Sequence, residues 1–339
     1  MILIVTARTD THADKVEAML RQRGHTTLRF NPADFPARAS LSMHTRPHQS
    51  PRWTLQTEQY TIALDEVHAV WYRRPEAPKA SPQIQDEAAR AAIEQDCVHL
   101  LNSLWESMDS VFVPARPMTM RRADLKSVQL DLAERLGFDI PPTLLTNAPQ
   151  DFIRFHQEQD MRIISKPLDQ GLMKHFGAQF LRYTELVPRR SLVHAQGVQQ
   201  CPMAFQSYVD KHVELRITVV GQTVHAAEID SQSSHHTRHD WRRYDLITTP
   251  HRRHDLPAHI AQQCVDLVEA LGLRYGAIDM ILKPDGSYVF LEINPNGQYL
   301  WIEELTGMPI SDAICDLLSP EPAKTSPQHH LDMHTEALT

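Results

Sequence analysis

The residues with the clearest chemical potential lie near the end of the chain. They fall in Gly276-Ala277-Ile278-Asp279-Met280-Ile281-Leu282, Lys283-Pro284-Asp285-Gly286 and Ser287-Tyr288-Val289-Phe290-Leu291-Glu292-Ile293-Asn294-Pro295-Asn296-Gly297. Two apolar runs around Pro284 and Gly286 predict a β-hairpin closed by a type I turn. Pairing Leu282 with Ser287 sets Asp279 opposite Phe290 and Glu292 opposite Ala277. Asp279, Glu292 and Asn294 then leave one face. The two carboxylates become diagonal neighbours, roughly 7–8 Å apart at Cα. That gap suits two carboxylates sharing hard cations, with the Asn294 carbonyl oxygen as a further ligand. Oxygen-only donors favour magnesium or calcium over zinc, and magnesium held by one or two carboxylates usually keeps a phosphate as its other partner. The plainer alternative is a half-exposed hairpin with a solvated polar face. The strongly apolar strands favour the cation site, as does Asn294-Pro295-Asn296-Gly297, which would bring polar backbone close to a ligand.

The stretch AIDMILKPDGSYVFLEINPNGQYLWIEELTG resembles the metal-binding end of the ATP-grasp ligases. Within them it is most similar to the branch of the ribosomal-protein glutamate ligases and of the maturases that crosslink ribosomally made peptides (microviridin-type, or graspetide, macrocyclases). The likeness covers residues 115–318 well and the N-terminal region weakly. It implies an ATP-grasp fold with ATP and Mg2+ as cofactors, and it assigns the magnesium ions of ATP to Asp279, Glu292 and Asn294. It also implies phosphate contacts from Lys166, which ends the apolar run MRIISKPL, and from Lys126, early in ADLKSVQLDLAERLGF. Taken alone, Lys126 reads as a surface helix lysine.

FQSYVDKHVELR resembles the adenine hinge of the same family. By position, Gln206, Tyr208 and Val209 fall on the hinge, and Lys211 or Glu214 meets the ribose. Arg216 alternates with Ile217 and Val219, so it leaves the apolar face with Glu214 and Thr218. A planar, always-charged guanidinium there can stabilise an acyl phosphate and a tetrahedral intermediate. The competing expectation is a salt bridge to Glu214 or to a neighbouring strand. KPLDQGLMKHFG matches the flexible loop over the phosphates but holds only Gly171 and Gly177. In peptide maturases the neighbouring region helps bind the leader, which would suit Lys174, His175 and Arg182. DWRRYD resembles the D-x-R motif that engages acidic residues of a core peptide, placing Asp240 and Arg242 on the substrate. Arg73 and Arg74 of WYRRP are further candidate anion contacts, against the alternative of an exposed basic pair.

These groups need scaffolds. ILIVT at 2–6, a helix over 12–23 stopped at Gly24, and TTLRF predict a β-α-β opening of a parallel-sheet domain. HAVWYRRP adds a strand. A helix over 84–108 carries Ala88, Ala92, Val98, Leu101, Leu104 and Trp105 on its apolar side. Pro114 and Pro117 mark a boundary. Beyond it come helices at 121–136 and 149–158, a strand ending at Lys166, and a strand and linker at 201–209. VELRITVV and TVHAAEID form a hairpin across Gly221-Gln222. A helix over 257–271 precedes the metal hairpin, and a last helix starts near Ser311 as N-cap. The fold class is thus α/β with α+β lobes. The domains run 1–115, 116–205 and 206–318, and the polar segment 319–339 is expected to be disordered.

Composition sets outer bounds. The chain of 339 residues suits two or three small domains, with 42% hydrophobic and 22% charged residues. A net charge of −8 argues against a general nucleic-acid binder. MILIVTARTD is too short and polar for a signal peptide, and no apolar run could span a membrane. Cys97, Cys201, Cys264 and Cys315 lack CxxC spacing, which suits reduced cytoplasmic thiols. His235, His236, His239, His251 and His254 read as a solvated loop rather than a metal site. Neither common phosphate-binding glycine motif occurs, and no Ser-His-Asp or Cys-His arrangement stands out. The resemblance implies ATP and a precursor peptide with a leader and an acidic core as partners; neither nucleic acid nor membrane is expected, and a homodimer is left open. The reaction implied is an ATP-dependent ligation through an acyl phosphate, joining Asp or Glu side chains to Thr, Ser or Lys. The alternatives are a ligase adding free amino acids to a protein or metabolite, and a degenerate nucleotide-binding module that recruits a peptide.

Overall fold

The computed structural model describes residues 1–169, 172–175, 178–181, 183–231 and 250–319, with backbone alone for 172–175 and 178–181. The chain opens as expected: β1 (Ile2–Val5), α1 (Thr11–Gln22) and β2 (Thr27–Phe30). Asp10 caps α1 by accepting from the N–H groups of His12 and Ala13. An antiparallel sheet of β3 (Ala39–His44), β4 (Arg52–Thr57) and β5 (Thr61–Ala63) follows. It was not anticipated, because its short strands alternate weakly and are flanked by polar residues. β6 (Ala69–Tyr72), α2 (Glu87–Ser107) and β7 (Val111–Val113) complete a parallel sheet of order β2-β1-β6-β7. Helix α2 buries Cys97, Leu101, Leu104 and Trp105 against it. Ala88, Ala92 and Val98, expected on that face, are exposed. The helix reaches the core only from Ile93 onward.

The single helix expected at 121–136 is two: α3 (Pro117–Ala123) and α4 (Lys126–Arg135). The break at Asp124-Leu125 makes Lys126 the first residue of α4. β8 (Thr143–Thr146), α5 (Pro149–Glu158) and β9 (Ile163–Lys166) follow. Next are the hairpin of β10 (Leu172–His175) and β11 (Ala178–Leu181), then β12 (Glu185–Leu186), a 3-10 helix over Arg189–Gln200 and β13 (Met203–Ser207). The central sheet has order β12-β9-β13-β8 and a small core of its own, including Phe152, Phe155, Ile163 and Phe205.

β14 (Val213–Val220) and β15 (Thr223–Ile229) form the hairpin expected across Gly221, which adopts positive φ. β16 (His251–Arg253), α6 (Ala258–Ala270), β17 (Tyr275–Leu282), β18 (Tyr288–Asn294), α7 (Leu300–Thr306) and α8 (Ile310–Leu318) complete the described chain. The C-terminal sheet has order β16-β15-β14-β17-β18. One face packs on α6 through Leu215, Ile217, Ile278, Met280 and Phe290. Helix α8 packs against both this lobe and the N-terminal sheet, in a shared core with Ile2, Ile4, Val220 and Tyr275.

Two expectations are corrected here. Ser311 lies inside α8 rather than capping it, and its N–H donates to Glu303 Oε2 at 2.6 Å, so Glu303 serves that helix end. His254 is not a solvated loop residue. Its ring bonds Glu228 through Nδ1 and the Tyr288 hydroxyl through Nε2, each at 2.9 Å. His251 meets the Trp301 ring edge-on. Both follow from β16 adding to the sheet beside β15, which its polar sequence did not reveal. His235, His236 and His239 lie outside the described residues, as does 320–339. Among the described residues no helix is long and apolar enough to cross a membrane.

Candidate active site between two sheets

A cleft of about 290 Å³ opens between the central and C-terminal sheets. Its C-terminal wall is a row of charges. β14 pairs with β17 so that Arg216 lies opposite Asp279, and β17 pairs with β18 so that Asp279 lies opposite Glu292. Lys126 closes the row from α4, with Nζ 2.6 Å from Glu292 Oε2. Arg216 Nη1 donates to both oxygens of Asp279, at 2.8 and 2.9 Å. Like charges directly opposite one another destabilise a sheet. Here each carboxylate leans on a cation from the far side of the row. Arg216 thus finds the neighbouring strand, not Glu214.

The hairpin register differs from the expected one in two places. Lys283 N–H donates to Ser287, and Gly286 N–H donates to Lys283, with Gly286 at φ 86°. This is a loop of Pro284, Asp285 and Gly286 with glycine in the left-handed position. Leu282 therefore pairs with Tyr288 rather than Ser287. A bulge between Met280 and Asp279 then slips the strands once more. Its consequence is chemical. Met280 and Phe290 pair and enter the core, while Asp279 and Glu292 pair and face the cleft. The carboxylates are directly opposed rather than diagonal. An unbroken alternation would have put Phe290 and Glu292 on one face.

Strand β18 is a sheet edge, and its exposed backbone is covered. Gln129, 2% exposed on α4, accepts from Ile293 N–H and donates to Ile293 O at 2.8 Å. Phe290 N–H donates to Asp139 O at 2.8 Å. These bonds hold the strand that carries Glu292. Sequence reading missed Gln129, because a helix glutamine ordinarily faces water. Asp124 was missed too. It lines the cleft, and burial raises its carboxyl pKa against the opposing pull of Lys126.

The opposite wall carries Lys166 and Gln206 on adjacent strands. Lys166 Nζ donates to Gln206 Oε1 at 2.8 Å, and Gln206 Nε2 donates to Thr143 at 3.0 Å. Tyr208, Val209, Lys211 and Glu214 continue along the lining. Lys211 pairs with Glu214 at 2.9 Å, and both side chains are largely buried. At the rim Arg162 stacks over the Tyr208 ring and pairs with Asp210.

The cleft thus brings together Lys126, Lys166, Gln206, Tyr208, Val209, Lys211, Glu214, Asp279, Glu292, Asn294 and Arg74. Arg216 adjoins it through Asp279. Arg74 is pulled below the ordinary arginine value by burial and by its neighbours Arg73 and Arg216. Arg73 departs from the expectation of a substrate contact. It is 2% exposed and donates to Asn296 O and Oδ1, so it grips the turn after β18 instead of facing the cleft. Lys174 and His175 lie on β10, where only backbone is described, and Arg182, Asp240 and Arg242 lie outside the described residues. Gly297 is where the turn approaches the row most closely. A Cβ there would stand 2.4 Å from Ala277 Cβ and 2.7 Å from Arg216 Nη2.

The donor set fits a hard cation. Two opposed carboxylates and the Asn294 carboxamide supply oxygen alone, and no group of three or more His, Cys, Asp or Glu placed to hold a metal ion occurs among the described residues. That is too few protein ligands for a closed metal cage, and it suits magnesium completed by phosphate.

Comparison with known proteins identifies the family and the fold. Residues 1–118 match the family profile of the MvdD pre-ATP grasp domain. No match was found among curated proteins. Among solved structures, the RiPP-associated ATP-grasp ligase of Chryseobacterium gregarium, in complex with ADP and a leader and core peptide, is 32% identical, with a TM-score of 0.87 over 94% of this chain and 96% of that one. The macrocyclase MdnC of Microcystis aeruginosa MRC, bound with the precursor peptide MdnA, is 31% identical, with a TM-score of 0.82 over 94% and 98%. The macrocyclase MdnB of the same organism is 30% identical, with a TM-score of 0.77 over the same shares. Likeness at this level over nearly the whole of each chain, on a fold whose two sheets enclose the row of charges, shows that this chain belongs to the RiPP-associated ATP-grasp ligases.

Proposed function

We propose that this ligase acts in the cytoplasm on a ribosomally made precursor peptide, joining its Asp or Glu side chains to Thr, Ser or Lys side chains at the expense of ATP. The observation that carries the reading is the row Arg216–Asp279–Glu292–Lys126 at the edge of a cleft that also holds Lys166 and Lys211. Each carboxylate of the row is balanced by a cation. A triphosphate with its metal offers a new partner to every member of that row.

A carboxylate oxygen of the peptide attacks the γ-phosphorus. The bond to the bridging oxygen breaks, and ADP leaves with an acyl phosphate formed. A hydroxyl or amine then attacks the acyl carbon, phosphate departs, and the nucleophile's proton passes to phosphate or solvent. Each crosslink removes one water from the peptide. Asp279, Glu292 and Asn294 would hold magnesium, which supplies charge neutralisation at the phosphates. Lys166 and Lys126 meet phosphate oxygens. The backbone at Gln206, Tyr208 and Val209 faces adenine, with Lys211 or Glu214 at the ribose. Arg216 stabilises the charge that develops on the acyl oxygen. Arg74 faces the peptide carboxylate from the N-terminal domain. Asp240 and Arg242 would read the acidic core, and Lys174 and Arg182 the leader, on the strength of sequence position. No covalent nucleophile is needed, because positioning and charge neutralisation carry the chemistry.

The test is the mass of candidate precursors after incubation with enzyme, ATP and magnesium. Loss of one water per ring, abolished in Asp279→Asn, is expected. A mass gain equal to an added amino acid would point to the other ligase activity, and ADP-free binding of peptide would point to a recruitment module.

A further inference from the structure

The turn that follows β18 is held from another domain. Arg73 directly follows β6, and its Nη1 donates to Asn296 O at 2.9 Å and to Asn296 Oδ1 at 2.8 Å. Asn296 Nδ2 in turn donates to Tyr72 O at 3.3 Å. The N–H of Asn296 donates to Asn294 Oδ1 at 3.1 Å. A carboxamide oxygen has two lone pairs. One receives this N–H, which fixes the amide rotamer and leaves the other for a cation in the cleft that Asn294 lines with Asp279 and Glu292.

Arg73 is an expensive way to secure a turn. It is 2% exposed, and its Nε and Nη2 have no hydrogen-bond partner among the described residues. The Asp10 carboxylate lies within electrostatic reach, but two unsatisfied buried nitrogens cost stability that an apolar residue would not. Packing alone does not account for it. We infer that Arg73 is a positioning residue for the metal site: through Asn296 it sets the orientation of the Asn294 carboxamide, so that the N-terminal domain completes a cation site built on the C-terminal sheet. This rests on the reading of Asn294, Asp279 and Glu292 as metal ligands.

The experiment is a magnesium titration of ATP binding to the full-length protein, read by calorimetry, beside ATP binding in chelator. Groups that hydrogen-bond a metal ligand typically tune metal affinity by about 10–100-fold. Arg73→Met and Asn296→Ala should therefore each raise the half-saturating magnesium concentration by roughly that factor. Metal-free ATP affinity should stay unchanged, because neither residue faces the phosphates. Arg73→Lys should recover part of the loss, and the double variant should be no worse than the poorer single one, since both act along one path. A purely structural role would lower metal-free ATP affinity in step with magnesium affinity, and that result would overturn the inference. So would an unchanged magnesium midpoint in Asn296→Ala, which also carries the test if Arg73→Met does not fold. Glu292→Gln serves as reference. If it too leaves the midpoint unmoved, the metal reading fails rather than the role of Arg73.

Discussion

The two walls of the cleft are built differently. The C-terminal wall is tied into the rest of the molecule. Its sheet shares a core with the N-terminal domain through α8, and the turn after β18 is gripped by Arg73, by the Tyr275 hydroxyl and, at Tyr299 and Leu300, by His12. The central wall rests on its own small core, and Lys166, Gln206 and Thr143 bond among themselves. The wall that presents opposed carboxylates is the one fixed from several sides. Two carboxylates face to face need a rigid setting, because any slack lets them repel one another apart. A lysine meeting a phosphate tolerates more freedom, since an ammonium on a four-carbon stem is a point charge without strict geometry.

The largest expected effect breaks the fixed wall. Asp279→Asn and Glu292→Gln remove a charge from the row and, with it, several kcal/mol of transition-state stabilisation, so peptide-dependent ADP release should fall by roughly 10³-fold or more. Circular dichroism should show the fold retained. Wild-type turnover in either variant would show that the row is only an ion-pair ladder. Glu292→Gln should also release Lys126, so its metal-free ATP affinity should rise while its magnesium response disappears. A drop in both would contradict the partner exchange proposed for the row.

Gly297→Ala tests the same wall without touching a charge. The added methyl would overlap Ala277 and Arg216 Nη2. Overpacking of this kind costs about 1–3 kcal/mol, and turnover should fall further than the unfolding free energy does. Equal losses in both would mean that Arg216 keeps its place. On the central wall, Lys166→Met should cost about 1.5–3 kcal/mol of ATP binding, the worth of one charge-assisted contact. The magnesium midpoint should stay put, and a shift there would show that the walls are not independent.

The smallest effect concerns His12, whose Nε2 accepts from Tyr299 and Leu300 N–H at 3.3 and 3.2 Å. Burial lowers its pKa from the ordinary 6.5, against the opposing hydrogen bond with Asp10. The neutral ring is therefore the folded form, and the unfolded chain binds the extra proton first. Stability from this group is present at neutral pH and is lost as pH falls below about 6.5. His12→Gln should flatten the slope of unfolding free energy between neutral pH and the onset of acid unfolding. An unchanged slope would remove His12 from the account.

Much of this was legible in advance. Alternation in VELRITVV put Glu214, Arg216 and Thr218 on one face, and the strand shows Leu215 and Ile217 on the other. The break before Lys126 was not legible, because the helical pattern runs through Asp124-Leu125 without Gly or Pro. The bulge was not legible either, because it is set by Phe290 reaching the core beside Phe138 while Glu292 stays in the cleft. Arg73 read as a candidate anion contact because WYRRP alone does not say which arginine meets Asn296, 223 positions away.

Side-chain types and most of the larger helices and strands follow from local chemistry, and those the sequence by itself determined. It named the carboxylates, the cations and the family they resemble. Tertiary structure decided who pairs with whom: Arg216 with Asp279, Lys126 with Glu292, Gln129 with the edge of β18, and Arg73 with the turn beside Asn294. The reason is physical. Alternation fixes which face a residue takes, but the partner across a cleft is set by strand register and domain packing, and both depend on residues from 63 to 223 positions apart.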